Sequence, residues 1–438
     1  MGSNEQRAEH GLFFGRALSP PATGSSPGMD GILACHDCDL LHHIKHVPAG
    51  GKALCSRCGS LLYRHHPDGL NRVLALNLAA LICIVLVNVF PFLSMEIAGR
   101  VEETVFISGM LSLYQLGMGE LALLVLLTSL LFPLLGILGM LYTLLPVRFG
   151  FRLPGLVPVY RLVRVVTPWC MLDVVMLSVL LAAVKLLDLA HVVPGIALYA
   201  FIALVVLEAA AYASFDRALL WPPTPPDCAD KGGTAADAQL INCHTCALLV
   251  PVSTLSRTGK AHCPRCHTPL HQRKLNSLNR TWALIISALL LLIPANVYPV
   301  MTVIRFGQGE PSTIVAGIEH LIEEGMWPLG MIVFIASIIV PFMKLAALSL
   351  LQLSVQKRSG WRMRDRTVLY RLTELVGSWS MVDIFLIALL TGLVKLDALT
   401  TITPDIGALF FAGVVVTTIF AANSFDPRLI WDHGERRQ

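Results

Sequence analysis

The chain has 438 residues, 55% of them hydrophobic and only 14% charged. Its mean hydropathy is +0.67. A soluble globular chain carries roughly 25% charged residues, so a cytosolic enzyme is excluded, and the apolar content excludes disorder as the overall class. Eleven cysteines over this length exclude a disulfide scaffold, and a net charge of +4 says little about nucleic acid.

Residues 1–31 are rich in Gly, Ser and Pro and read as a disordered tail. No basic stretch leads into an apolar run, so no signal peptide is expected. The N-terminus is therefore expected in the cytoplasm, with the cysteines that follow reduced or metal-bound. Residues 32–66 contain Cys35, Cys38, Cys55 and Cys58 in a C-x2-C-x16-C-x2-C pattern, and residues 240–274 repeat it with Cys243, Cys246, Cys263 and Cys266. Two such knuckles offer four thiolate corners to a tetrahedral Zn2+ at about 2.3 Å each, and the residues between them suffice for a small hairpin. The spacing is that of a zinc ribbon. Disulfides, dithiol redox pairs and iron in place of zinc stand as alternatives. Cys263-Pro264-Arg265-Cys266-His267 also has the haem-attachment spacing, but the expected cytoplasmic location and Gly59 at the matching place in the other copy argue against it. A closed four-thiolate site has no open position and reads as structural. Cys83 and Cys170 read as ordinary small membrane residues, and Cys228 has no partner pattern.

A spanning helix needs about 20 mainly apolar residues. Eight segments qualify: 74–95, 119–146, 168–189, 194–214, 283–303, 326–353, 374–396 and 405–424. The loop 147–167 carries Arg148, Arg152, Arg161 and Arg164 without an acid, and 354–373 carries Lys357, Arg358, Arg362, Arg364, Arg366 and Arg371 against Asp365. Both are expected to be cytoplasmic by the positive-inside rule. The acidic segments 96–118 and 304–325, and the short links near Asp188–His191 and Asp397–Asp405, are expected to face outward, with both termini inside.

The chain is internally duplicated. At an offset of 208 the cysteines recur, as do Asn71-Arg72 in Asn279-Arg280, Asn88-Val89-Phe90-Pro91 in Asn296-Val297-Tyr298-Pro299, and Pro133 in Pro341. At an offset of 210, Tyr160-Arg161-Leu162 returns as Tyr370-Arg371-Leu372, Asp173 as Asp383, Lys185 as Lys395, and Ser214-Phe215-Asp216 as Ser424-Phe425-Asp426. The expected fold is an all-α polytopic membrane protein of two repeats, each of four transmembrane helices preceded by a small cytoplasmic zinc-ribbon (rubredoxin-like) module. Four spans per half make the repeats parallel. The expected divisions are a tail at 1–31, ribbon 1 at 32–66, repeat 1 at 67–220, a linker at 221–239, ribbon 2 at 240–274, repeat 2 at 275–431 and a tail at 432–438.

Charged groups at membrane depth cost about 2.5–3.5 kcal/mol on insertion scales and are functional candidates by default. Asp383 falls near the middle of the seventh span, and Asp173 similarly in the third. Lys344 in the sixth span reaches a similar depth to Asp383, Ser380 is one turn before it, and Thr417 and Thr418 lie in the eighth span. Lys344 and Asp383 are candidates for a titratable pair, linked to movement of substrate or protons, within a polar cluster of Lys344, Ser380, Asp383, Thr418 and Asp173. The alternatives are an Asp383 that locks helices by hydrogen bonding and a Lys344 that snorkels to the surface. Lys185 and Lys395 read as snorkelling, and Glu208 is ambiguous. Pro133 and Pro341 are expected to kink their helices, and Pro91 and Pro299 to mark helix ends.

Two four-cysteine modules, each ahead of four spans with Asn-Val-aromatic-Pro and Ser-Phe-Asp endings, resemble the paraquat-inducible protein A family from about residue 32 to 431. The resemblance implies a multi-pass protein of the bacterial inner membrane, partnered by a periplasmic MCE-domain protein that forms a tunnel toward the outer membrane. It implies a role in loading or extracting phospholipid, with two zinc ions at the cysteines named above and with Lys344, Ser380, Asp383 and Thr418 matching the polar cluster of LetA-like members. No reaction is implied, and the chain contains no G-x-x-x-x-G-K-[ST] loop, so it is read as a non-enzyme. Proton movement through the Asp383 region is one candidate energy source. Two other readings stand: a redox or quinone-linked membrane protein, and a passive anchor for the MCE partner.

Overall fold

The computed structural model describes residues 31–432 apart from 44–46, 49, 65, 98–99, 152, 188–190, 222–232, 255–260, 306–307, 324, 394 and 397–399. The expected tails at 1–31 and 432–438, and most of the expected linker, lie outside the described residues except for Gly31 and Asp432 and for residues 221 and 233–239.

The first cysteine module contributes the hairpins β1 (Ile32–Ala34) with β2 (Leu41–His43) and β3 (Lys52–Leu54) with β4 (Leu61–Arg64). The first helical half follows as α1 (Gly69–Val89), β5 (Leu93–Ile97), β6 (Arg100–Thr104), α2 (Ser108–Gln115), α3 (Gly119–Leu126), α4 (Phe132–Phe149), α5 (Leu156–Val166), α6 (Leu172–Leu187), β7 (His191–Pro194) and α7 (Ile196–Ser214). The second module has β8 (Leu240–Asn242), β9 (Leu249–Pro251), β10 (Ala261–His262) and β11 (Pro269–Leu270). The second half repeats the order: α8 (Ser277–Val297), β12 (Met301–Arg305), β13 (Gln308–Ser312), α9 (Ile314–Glu323), α10 (Trp327–Phe334), α11 (Val340–Gln356), α12 (Met363–Val376), α13 (Val382–Leu393), β14 (Lys395–Leu396), β15 (Thr400–Pro404) and α14 (Ile406–Ser424).

Among the described residues, eight helical stretches are long and apolar enough to cross a membrane, so the chain is a multi-pass membrane protein. The expected spans 74–95 and 283–303 overran their helices, which end at Val89 and Val297. The residue before a proline is steered out of the α region, and the apolar residues beyond Pro91 and Pro299 belong to strands. Hydropathy alone does not separate the two. The third and seventh spans begin earlier than expected, at Leu156 and Met363, because Arg161 and Arg164 in the one, and Arg364, Arg366 and Arg371 in the other, lower the hydropathy of their opening stretches. Each then breaks at a 3-10 turn, Thr167–Trp169 and Gly377–Met381.

The expectation of an all-α protein is corrected. The chain is mostly helical, but the inter-helix segments pair into two antiparallel sheets of order β6-β5-β7 and β13-β12-β15-β14. Segments such as Met301-Thr302-Val303-Ile304 and Thr400-Thr401-Ile402-Thr403 are β-branched and favour a pleated surface. Pro194 and Pro404 sit opposite Leu93 and Met301, at strand ends where a missing N–H is tolerated.

Two compact units partition the chain: one of residues 1–79, 136–165 and 207–275, the other of 80–135, 166–206 and 276–438. In the first, a core cluster joins Val73, Leu144, Val157 and Tyr160 to Trp221, Ile241 and the second cysteine set. A smaller cluster joins Ile32 and Ala34 to Ala235, Leu240 and Leu249. In the second unit, Pro133 and Pro341 each follow a five-residue π-helical stretch, Leu127–Leu131 and Ile335–Ile339. A wider turn there absorbs the hydrogen bond that proline does not make. Gly407, at the start of α14, lies so close to the end of α8 that a Cβ would stand 2.4 Å from the Pro299 carbonyl oxygen.

Candidate functional site

Each cysteine set is assembled by two knuckles of one design. The N–H of the first cysteine donates to the carbonyl five residues on, as Cys35 to Leu40, Cys55 to Ser60, Cys243 to Leu248 and Cys263 to Thr268. The residue after the second cysteine donates back and has positive φ: Asp39 (63°), Gly59 (72°), Ala247 (56°) and His267 (53°). Three of these four accept a conformation that favours glycine, which the closure of the knuckle compensates. His267 is thus a turn residue, in keeping with the argument against haem.

The four sulfurs of each set lie within 4.8 Å of one another, and all eight cysteines are buried. Cys35 and Cys58 are 3.5 Å apart, Cys38 and Cys55 3.5 Å, Cys243 and Cys266 3.4 Å, and Cys246 and Cys263 3.5 Å. A disulfide would need about 2.05 Å, whereas four sulfurs at about 2.3 Å from a central ion are about 3.8 Å apart. The donor set therefore fits a metal ion. Hydrogen bonds from Cys35 hold Cys55 and Cys58 below the ordinary thiol value and push Cys38 above it. Those from Cys243 lower Cys266 and Cys263 and raise Cys246 in the same way. Four thiolates this close cannot all ionise alone, and a bound cation would supply the missing charge.

Sequence reasoning missed the residues around the sulfurs. Ser60 Oγ lies 2.9 Å from Cys35 Sγ and 3.2 Å from Cys58 Sγ, and its counterpart Thr268 is 3.2 Å from Cys266 Sγ. The shared hydroxyl at the 208 offset was the available signal. His42 Nε2 stands 3.2 Å from Cys55 Sγ, and the second set has Val250 at that position.

Of the membrane residues, the structure brings Lys344 and Thr418 together. Lys344, 4% exposed, donates from Nζ to Thr418 Oγ1 at 3.1 Å and to the Gly377 carbonyl at 3.4 Å. No ion pair joins Lys344 to Asp383 among the described residues; the lysine is held by the 3-10 turn and α14. Asp383, 7% exposed, has the Ser337 hydroxyl beside it, while its Oδ2 is buried without a partner. Ser380 Oγ is likewise buried and unpartnered. Ser337 was missed, although both it and its counterpart Ser129 sit in the π-helical stretches. Asp173 is not part of this cluster. It is exposed in the first turn of α6, which corrects the expectation that both aspartates share it. Thr417 bonds within its own helix to Gly413. Glu208 is buried and accepts from Tyr212 at 3.5 Å. The side chains of Lys185 and Lys395 lie outside the described residues.

Asp383 lines a partly open pocket whose wall is mostly apolar, with Val300, Leu321, Val333, Leu386 and Leu390, and also carries the hydroxyl residues Ser312 and Thr313. An apolar cavity with one carboxylate on its wall suits an amphiphile or an apolar chain.

The family profile described as paraquat-inducible protein A matches residues 70–224 and 278–435. The chain is 34% identical over 412 residues to the intermembrane transport protein PqiA of Escherichia coli K12, covering 91% of this chain and 95% of that protein. It is 30% identical over 402 residues to the lipophilic envelope-spanning tunnel protein A of the same strain, covering 92% and 91%. A probable intermembrane transport protein of Haemophilus influenzae is 26% identical over 412 residues, covering 93% and 97%. No solved structure matches the chain significantly.

Proposed function

The chain belongs to the paraquat-inducible protein A family, and we propose from that premise that it is the integral-membrane subunit of a lipid transport system acting between the two membranes of a bacterial envelope. It loads or extracts phospholipid for a periplasmic MCE-domain tunnel, sits in the inner membrane with both termini in the cytoplasm, and performs no chemical transformation. Its two halves act as parallel repeats, 67–220 and 275–431, each preceded by a zinc ribbon, 32–66 and 240–274. The names of the relatives support intermembrane transport as the process, and the lipophilic tunnel in one of them supports lipid as the cargo.

The observation that carries this reading is the apolar cavity with Asp383 on its wall. Apolar walls suit an acyl chain, since each CH2 taken out of water contributes about 0.8 kcal/mol. The unpartnered Oδ2 of Asp383 and Oγ of Ser380 each leave hydrogen-bonding capacity unused at a cost of about 1–3 kcal/mol. A donor on the cargo, or a proton, would use it. Lys344 serves as a fixed cation that ties the Gly377 turn to α14. The zinc ions at Cys35, Cys38, Cys55 and Cys58, and at Cys243, Cys246, Cys263 and Cys266, supply structure and no chemistry.

The test is to fill the cavity. Gly317 lines it, and Gly317→Phe is expected to abolish phospholipid transfer between membrane fractions while the protein still accumulates and melts as the wild type does. Full transfer by a folded Gly317→Phe protein would contradict the reading.

A further inference from the structure

The second cysteine module precedes the second helical half in sequence, yet its hydrophobic core is shared with α5 of the first half. Val157 and Tyr160 of α5 pack with Ile241, Val250 and the four cysteines of that module. Tyr160 meets Trp221 edge to face at 4.8 Å. On the same helix, Arg161 donates from Nη2 to the carbonyl of Cys266, a ligand residue. One turn on, Arg164 reaches from Nη1 to the Thr245 carbonyl, inside the first knuckle, at 3.5 Å. It also lies within electrostatic range of Cys243 and Cys246. Both knuckles of the set are thus gripped from outside by guanidinium groups of one helix.

The counterparts in the second half are Arg371 and Glu374, so this pair of cations is not duplicated. The first set has a different neighbour, His42 beside Cys55. Four thiolates around a divalent ion carry a net charge of −2. A nearby guanidinium offsets that charge, and a bond to a ligand residue's carbonyl fixes the knuckle that presents the sulfur. Groups of this kind outside the ligands typically change metal affinity about 10–100-fold.

We infer that Arg161 and Arg164 are positioning residues of the second metal site, so that α5 of the first half completes a site whose ligands all come from the other half of the sequence. The metal there pins the module to α5, and the two metal sites are unequal in how they hold their ions. This rests on the reading that the cysteine sets bind zinc.

The experiment uses the full chain in detergent and measures zinc content by mass spectrometry and zinc release to a chelator. The wild type is expected to carry two equivalents, and fewer would overturn the zinc reading itself. In a Cys55→Ser/Cys58→Ser background only the second site remains, and there Arg161→Gln with Arg164→Gln is expected to speed release by about tenfold or more. In a Cys263→Ser/Cys266→Ser background the same pair should leave release from the first site unchanged. Arg161→Lys, which keeps the charge and the reach, should recover part of the loss. Hydrogen exchange across residues 156–165 should rise when zinc is stripped from the second site and stay level when it is stripped from the first. Two equivalents of zinc with release indifferent to the arginines, or release accelerated equally at both sites, would overturn the inference and leave the zinc reading standing.

Discussion

Asp173 and Asp383 stand 210 residues apart in corresponding first turns, each after a 3-10 break in its span, yet Asp173 is exposed and Asp383 is buried. The residues around them differ in the same sense. Where the second half has Lys344, Ser380 and Thr418, the first has Gly136, Cys170 and Glu208. The scaffold features do correspond: a π-helical stretch precedes Pro133 and Pro341, and strands follow Pro91 and Pro299. Duplication has kept the elements whose role is geometric, while the buried Lys344–Thr418 contact and the buried Asp383 belong to one copy. A charge retained inside a membrane helix, at about 2.5–3.5 kcal/mol, points to function where it is buried with unsatisfied atoms. It does so less where it is exposed.

The largest effect is expected outside the membrane: replacing Cys243 and Cys266 by serine should remove one zinc equivalent and lower the Tm of the protein that remains, because metal binding at such sites contributes folding free energy. Zinc release from the intact protein should also increase as the pH falls, since protons compete for the thiolates. Metal analysis across a pH series reads both. Next, Asp383→Asn and Lys344→Met should each reduce lipid transfer by about tenfold or more, since a charge kept at membrane depth against its insertion cost marks function. Asp173→Asn should leave transfer near the wild-type rate. Equal losses at the two aspartates would dissolve the distinction between the halves.

A smaller effect, on stability alone, is expected from Gly407→Ala. The added methyl meets the Pro299 carbonyl at 2.4 Å, and overpacking of this kind costs about 1–3 kcal/mol, visible as a lower Tm in detergent. The smallest effect is expected at the hydroxyls beside the sulfurs. Ser60→Ala and Thr268→Val each remove a hydrogen bond worth about 0.5–1.5 kcal/mol, so zinc release should quicken modestly and by similar amounts at the two sites.

Much of this was legible in the sequence. The cysteine spacing and its return at an offset of 208 pointed to both four-sulfur sets, because the chemistry requires those residues at that spacing. The eight spans were legible because length and hydropathy set them, but their ends were not. At Pro91 and Pro299 an apolar helix hands over to an apolar strand, and a hydropathy window responds alike to both. The sheets were missed because β5 pairs with β7 and β12 with β15, across about a hundred residues of chain. Asp173 was misplaced because correspondence in sequence does not fix which face of a helix is buried. Lys344 and Asp383 share a depth, but the partner that Lys344 takes is set by the 3-10 turn at Gly377, which no periodicity announces.

Lipid entry into the pocket is read by a photo-crosslinker at Leu390, which is buried and lines it, with its counterpart Leu180, which is exposed, as the reference for bulk lipid. A saturable phospholipid adduct is expected at residue 390, lost in Asp383→Asn and kept in Asp173→Asn, while the adduct at residue 180 is indifferent to both. Adducts at residue 180 with none at residue 390 would contradict lipid entry and make the buried cluster a helix-packing device.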